Sequence, residues 1–485
     1  MAVGARPAAA VAVAVAAAVA MAAAPASLAA VRVRAKPALT PAFRAGVSDH
    51  VSKCGRDRPL RLSVDAGDGE KVSVDGRDAR SGRFDATVAL RTGQSTRVDV
   101  RSHGRTARHH IRCLPGRFPR WTFRRYGKPG AQWYLTAPAG HSSPLPITHS
   151  VILFDRRGVP VWWRREPDEP FNSTLLADGT LAWARWYGGP FGMRDSAAWE
   201  IHRLDGTLVR TLQTVGSPTD HHDMEQLPNG NFLLDTYRAR RNVDLEPYGG
   251  HGTGNVVDCV IQELTPAGEL VWSWSFMDHL QPAETYRGAP MRTLPDGTSA
   301  LDAFHFNSME PDGHGGLVVS ARHVDAVYRI DMASGKITWK LGGTERPESL
   351  KVVGDPREPT LDKQHDARLL PDGSLTVYDN RSEVGAPRAV RFRIDAAKHR
   401  ARFVEQVTEE KATDSPAEGS ARKLPGGNWV VAWGDTKVMT EVSPSNEPVW
   451  RLQFRDADVV TYRLTPVPFG RLGASRLRRA MDRMH

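Results

Sequence analysis

Short apolar runs alternate with turn signals along most of this chain, and the runs come in two recurring forms. The first is a pair of apolar residues, a Pro-Asp-Gly-like turn and a strand-like run. It appears as TLLADGTLAWAR, MEQLPNGNFLLDTY, MEPDGHGGLVVSAR, ARLLPDGSLTVYDN and ARKLPGGNWVVAWG. The second carries an aspartate or a relative, then glycine, then in most copies tryptophan: LFDRRGVPVWW, HRLDGTLVRTL, LTPAGELVWSW, IDMASGKITWKLGG and VSPSNEPVWRL. Two short strands about a tight turn make a hairpin. Two hairpin types alternating every 50 to 80 residues or so give about four strands per repeat, one blade of a β-propeller. Five repeats are plain, and the segment around 120–165 supplies or completes a sixth.

The predicted fold class is therefore all-β, with a propeller over 116–465 and a basic C-terminal tail over 466–485. Ahead of it, residues 49–115 alternate polar and apolar positions (RLSVDA, KVSVDG, FDATVALRTG) and read as a small β-sandwich. Residues 31–48 read as a linker. The first 30 residues hold a lone Arg6, an Ala/Val run from Ala8 to Ala24 and then small residues. That composition suits a signal peptide, with an N-terminal membrane anchor as the rival. Alanine is a weak membrane residue, which favours cleavage. Either way the chain is expected outside the cytoplasm, extracellular or at the cell surface or in a periplasm, and a retained segment would tie it to a membrane.

Composition changes this picture little. The 43 glycines and 34 prolines agree with a turn-rich all-β chain. Of three cysteines, Cys54 and Cys113 bracket the small β region and are expected to pair, leaving Cys259 buried and free. The net charge is +10, much of it arginine. An arginine-rich surface accounts for it, and attraction of an anionic substrate is the functional alternative. There is no nucleic-acid recognition motif, so nucleic acid is not an expected partner.

The chemistry emerges when the first repeat is aligned on its turn. Six residues before the Pro position stand Phe171, His222, His305, His365 and Gly419 in successive copies. A lone histidine there would be an ordinary strand residue. Three at one register predict a site, because corresponding strand ends of a propeller gather about its axis. The hairpin also sets the tail of its second strand beside the head of the first. Arg322 is thereby expected near His305, Arg185 near Phe171, and Asp379 with Asn380 near His365. Asn307, two residues after His305, shares its strand face. Imidazoles serve as nucleophiles or proton carriers, and a guanidinium fork suits phosphoryl or sulfuryl oxygens.

HHDMEQLPNGNFLL, HFNSMEPDGHGGLVVSAR and QHDARLLPDGSL together resemble motifs of the bacterial arylsulfate sulfotransferases, which use no nucleotide sulfate donor. The likeness spans roughly 140–455 and implies a six-bladed propeller. It also implies ping-pong transfer of a sulfuryl group from a phenolic sulfate ester to a phenol, with no cofactor. In that resemblance His365 matches the transiently sulfated histidine. His222 and His305 match the funnel histidines, and Arg322 matches the arginine on the sulfuryl oxygens. His305 would protonate the departing phenolate, and Asn307, Arg185 and Asn380 are candidate substrate contacts.

Three other classes compete. IDMASGKITWKLGG is similar to the tryptophan repeat of quinoprotein dehydrogenases, but the tryptophans read as packing aromatics and no adjacent cysteine pair is present. DHHDME sets His221, His222, Asp223 and Glu225 together, but neighbouring strand residues face opposite sides; the three converging histidines would suit a zinc hydrolase with an open position, and no metal is expected. Asp223 and Asp366 are expected to secure backbone contacts. The third class is a propeller that binds sulfated or phenolic ligands without turnover.

Overall fold

A computed structural model of the chain describes residues 31–140, 146–189, 191–286 and 288–485. The expected export or anchor segment, 1–30, lies outside the described residues. Among these residues the only α-helix is Ala474–Met484; the rest is strands, turns and single 3-10 turns.

The amino-terminal region is two sheets over one core. Arg32–Lys36, Leu60–Ala66 and Gly82–Val88 form the first. Leu39–Thr40, Asp49–Ser52, Arg105–Cys113, Ser95–Ser102 and Glu70–Val74 form the second, in that order. Inward positions of the alternating runs, among them Leu62, Val64, Val72, Val98 and Ile111, fill the space between. The Cys54–Cys113 disulfide, with Cα atoms 5.0 Å apart, joins the expected pair, and Cys259 is buried and free.

The stretch 31–48, expected as a linker, is instead part of this region. Arg32–Lys36 pairs with Leu60–Ala66, and Leu39–Thr40 pairs with Asp49–Ser52. The buried Val31 and Val33 are the one alternation that drives it, too short to stand out between arginines and prolines.

Beyond residue 120 the two interleaved hairpin types build, among the described residues, six sheets of four or more strands, beside a two-stranded pair of Ala139–Gly140 with Val459–Val460. The first contains Pro160–Arg165, Ser150–Asp155, Trp133–Thr136 and, from the far end of the chain, Thr465–Val467. The second is Glu169–Leu175, Leu181–Trp186, Trp199–His202 and Leu208–Leu212. The third starts with Thr219–Gln226, the fourth with Phe306–Pro311, the fifth with His365–Leu369 and the sixth with Ser420–Lys423. Trp121–Arg125 completes the sixth at its outer edge. Consecutive sheets from the second to the sixth touch through these first strands. Closure comes from the segment 461–467. Leu464 N donates to Ser420 Oγ (3.0 Å) and Thr465 Oγ1 to the Ser173 carbonyl (3.0 Å), so this segment bonds to both the sixth and the second sheet.

Tryptophans pack these sheets. Trp162, Trp163, Trp183, Trp199, Trp274, Trp429, Trp433 and Trp450 are fully buried, and Trp450 stacks on Tyr134 with centroids 4.2 Å apart. The residues 466–485, expected as a solvated basic tail, are mostly docked. Leu477, Ala480 and Met481 recur at helical spacing and bury against the core that holds Trp163. On the other face Arg478 pairs with Asp49 and Asp482 with Arg112, each bond within 2.8 Å, so the helix also holds the amino-terminal sheets. Few apolar residues among many arginines hid this helix in the sequence.

Leu477→Ala should cost about 2–5 kcal/mol by opening a cavity beneath that helix. A lower urea midpoint at unchanged slope would report it, and an unchanged midpoint would show the helix to be dispensable.

Candidate active site

The heads of the first strands surround a cavity of about 420 Å³. Around its wall stand Phe171 and Trp186 of the second sheet, His221 and His222 of the third, and His305 and Arg322 beside the fourth. His365 of the fifth, Glu418 ahead of the sixth and Tyr462 of the closing segment complete it, with Arg292 added from a loop hairpin. The three histidines of one register and Arg322 thus share one wall.

A regular strand would not aim them there. Pairing slips between Phe171 and Ser173, Thr219 and Met224, Phe306 and Ser308, and His365 and Arg368. Such bulges insert an extra residue and re-aim its neighbours. Asn172, His305 and Asp366 accordingly take φ of 43°, 52° and 54°, in the left-handed region that non-glycine residues rarely occupy.

Each imidazole is held by its Nδ1. His222 bonds Asp220 Oδ1 there, and His305 bonds Asp302 Oδ2 at 2.8 Å. His365 Nδ1 lies 2.7 Å from Asn380 Oδ1. The Asn380 amide is itself fixed, because Nδ2 donates to the carbonyls of Ser415 (3.0 Å) and Glu418 (2.9 Å). Its Oδ1 can only accept, so His365 carries its hydrogen on Nδ1 and its lone pair on Nε2. Arg322 donates to His323 Nε2 and to the Pro416 carbonyl, each at 2.7 Å, and its Nε is buried without a partner.

Burial sets the protonation of these groups. It holds His365 well below the ordinary imidazole range, with Arg322 adding repulsion. It lowers His305 as well, against the opposing pull of Asp302. His221 is pushed down to about 3 by burial, despite Asp220. Burial would raise Asp302, but His305 and His323 overcome it and keep the carboxylate well below its usual range.

Three expected contacts fall elsewhere. Arg185 lies in a separate cleft of about 330 Å³, lined also by Trp183 and His202, with its guanidinium paired to Glu200. Successive strand residues face opposite sides, and Trp186 has the cavity side. Asn307 does not line the cavity either. The bulge between Phe306 and Ser308 breaks the alternation that would carry it inward, and its Nδ2 donates to the Gln364 carbonyl at 2.7 Å. Asn380 is buried behind His365 and not on the wall. Asp379 is paired with Arg388 and Arg381.

Several wall and support residues carried no repeat signal. Tyr462 sits past the last repeat and Glu418 one residue before the Gly419 register. Asp220 and Asp302 were within reach of sequence reasoning, two and three residues ahead of their histidines.

Among the described residues two clusters have donor atoms within 4.8 Å of one another and could hold a metal: Asp220 with His221 and His222, and Asp302 with His305 and His323. In both, the carboxylate already accepts an imidazole N–H. The second also abuts the Arg322 cation through His323, which opposes a dication there. Asp223 and Asp366 do make backbone bonds, from Met309 N and Ala421 N, each at 2.9 Å.

Lowered imidazoles make folding stability depend on pH. At these rings the unfolded chain binds protons as pH falls below about 6.5, and the folded chain does not. The imidazole contribution to stability should therefore fall between pH 7 and pH 5. His221→Phe should flatten that slope by about 1.4 kcal/mol per pH unit, one proton's worth, in urea titrations at each pH; an unchanged slope would contradict the assignment.

A family model described as Arylsulfotransferase (ASST) matches residues 187–455, more than half of the chain. No curated protein matches the sequence. Similar solved structures include a periplasmic gluconolactonase from Pseudomonas aeruginosa, 15% identical over 69% of this chain and 99% of that one, with a TM-score of 0.40. A protein of unknown function from Bacteroides caccae is 11% identical, covering 70% and 99%, with a TM-score of 0.40. A catalytically inactive virginiamycin B lyase from Staphylococcus aureus, with quinupristin, is 10% identical over 72% and 100%, with a TM-score of 0.37.

Proposed function

This chain belongs to the arylsulfotransferase family, and from that premise we propose that it moves a sulfuryl group from a phenolic sulfate ester to a phenol through a sulfohistidine at His365. The six sheets are read as six blades of one propeller and the two amino-terminal sheets as a small sandwich. The substrates are small phenols and their sulfate esters, and the reading needs no cofactor.

One observation carries the choice of nucleophile. Of the three register histidines, His222 and His305 have a carboxylate at Nδ1, and His365 has a neutral amide. A carboxylate stabilises imidazolium, whereas an amide orients the ring without favouring its charged form. His365 thus presents an unprotonated Nε2, the state a nucleophile requires.

In the first half-reaction Nε2 bonds to sulfur as the bond from sulfur to the phenolic oxygen breaks. In the second, the acceptor oxygen bonds to sulfur as the N–S bond breaks, and His365 is restored. Arg322 supplies a guanidinium for the sulfuryl oxygens where charge shifts in the transition state. His222 and His305 flank the same group. The proton transfer expected of His305 needs a protonated donor, and its buried ring rests in the neutral form.

The disulfide fits an oxidising, exported setting. No helix among the described residues is long and apolar enough to cross a membrane.

Incubation with 4-nitrophenyl sulfate should release nitrophenol in step with added phenol. Release without acceptor would mark a sulfatase, and no release would leave a binding module. His365→Ala should abolish labelling by radioactive donor, and labelling that persisted would move the nucleophile elsewhere. Arg322→Ala should slow transfer by about 3 kcal/mol in barrier, the size of a lost oxyanion donor. Asn380→Asp, which offers His365 a carboxylate, should lower kcat and move the low-pH limb of the rate profile upward.

A further inference from the structure

Among the described residues lining the cavity, Glu418 is the only carboxyl. It lies two residues before the first strand of the sixth sheet and is only 8% exposed. Its Oε2 is buried with no hydrogen-bond partner. The carboxylates behind the histidines, Asp220 and Asp302, are each bonded to imidazole. The Glu418 backbone is held with φ of 64°, in the left-handed region. Its carbonyl accepts from Asn380 Nδ2, the same amide that holds His365. The two side chains are therefore referenced to one rigid group. Burial, with Asp435 and Glu169 nearby, pushes the Glu418 carboxyl well above its ordinary range and so favours its protonated form.

A departing phenolate needs a proton, and His365 and His305 rest as neutral rings whose single hydrogen is committed at Nδ1. Resting on the sulfotransferase reading above, we propose that Glu418 is the proton carrier of the transfer, a catalytic residue facing the phenolic oxygen. In the first half-reaction the Nε2–S bond of His365 forms, the S–O bond breaks, and the Glu418 carboxyl gives its proton to the phenolate oxygen. Phenol leaves and Glu418 is a carboxylate. In the second, that carboxylate takes the proton of the incoming phenol as its oxygen bonds to sulfur and the N–S bond breaks. One group thus gives and regains one proton, as microscopic reversibility requires.

The test compares wild type with Glu418→Gln, which keeps shape but carries no transferable proton, using phenol as acceptor and two donors. Transfer from 4-methylphenyl sulfate, whose phenolate is a poor leaving group, should fall about a hundredfold or more. The first half-reaction with 4-nitrophenyl sulfate, whose phenolate leaves without help, should change less than about fivefold. Equal loss on both donors, or no loss on either, would overturn the proton-carrier role while leaving the sulfotransferase reading in place. Wild type that transferred from neither donor would sink that reading and this one with it. An infrared difference spectrum between wild type and variant at pH 7 gives a readout without turnover. A protonated carboxyl band lost in the variant is the expected result, and a carboxylate band in its place would refute the proposal.

Discussion

A cluster of buried charges ties the sheets together where their first strands meet. Arg368 bonds Asp366 (2.8 Å), Asp223 (2.7 Å) and Glu225 (2.6 Å), and reaches Glu310 at 3.1 Å. Arg463 and Arg422 also meet Asp366, and Arg463 donates to the Asn307 carbonyl at 2.7 Å. The third, fourth, fifth and sixth sheets and the closing segment are all represented. Charges so deep are tolerated only when fully paired, and removing one partner of such a set typically costs about 3–5 kcal/mol. The cluster therefore fixes how the sheets sit against one another far more strictly than apolar packing alone. His222 and His365 each directly precede one of its aspartates. Their backbones inherit its rigidity, and this lets imidazoles from separate sheets hold one geometry.

Given that frame, the chemistry depends on what stands behind each ring. Burial removes the charge from His365 and His305 alike. The partner at Nδ1 then decides how readily charge returns, easily against Asp302 and reluctantly against Asn380. The Asn380 amide spends its two donors on main-chain carbonyls, which leaves nothing ambiguous about the face it shows the imidazole. Two neutral hydrogen bonds to a loop thus specify a tautomer across the fold.

The repeats made the all-β architecture and the shared histidine register legible, because a turn such as Pro371-Asp372-Gly373 is a ruler and six residues counted back from it mean the same place in each sheet. Alternation held in the amino-terminal sheets and failed at the bulged heads of the later strands. Asn307 was placed by a period of two that the bulge at Phe306 interrupts, and Arg185 by a strand-end match that Trp186 in fact fulfils. The helix at Ala474–Met484 was hidden by four arginines around a short apolar stripe. Val31 and Val33 were too few to announce a strand. Glu418 left no trace, since a carboxyl without a partner is a property of three-dimensional surroundings.

The cavity walls are chemically unequal, and this bears on how one site could serve two substrates in turn. The third, fourth and fifth sheets contribute imidazoles and a guanidinium; the second sheet and the closing segment contribute Phe171, Trp186 and Tyr462, with Glu418 between the two kinds of wall. The ring of Phe171 lies 4.5 Å from that of Tyr462 and 5.7 Å from that of Trp186, an aromatic surface suited to an aryl group. Under the proposed reaction, an aryl sulfate spanning the cavity would have its anionic end toward Arg322 and its ring toward this surface. In a ping-pong cycle the sulfur then stays on the polar wall while one phenol replaces another on the aromatic one. The departing and arriving oxygens occupy the same position, between the two walls. A single proton-bearing group at that boundary can serve both, and no rearrangement of the frame is needed between the half-reactions.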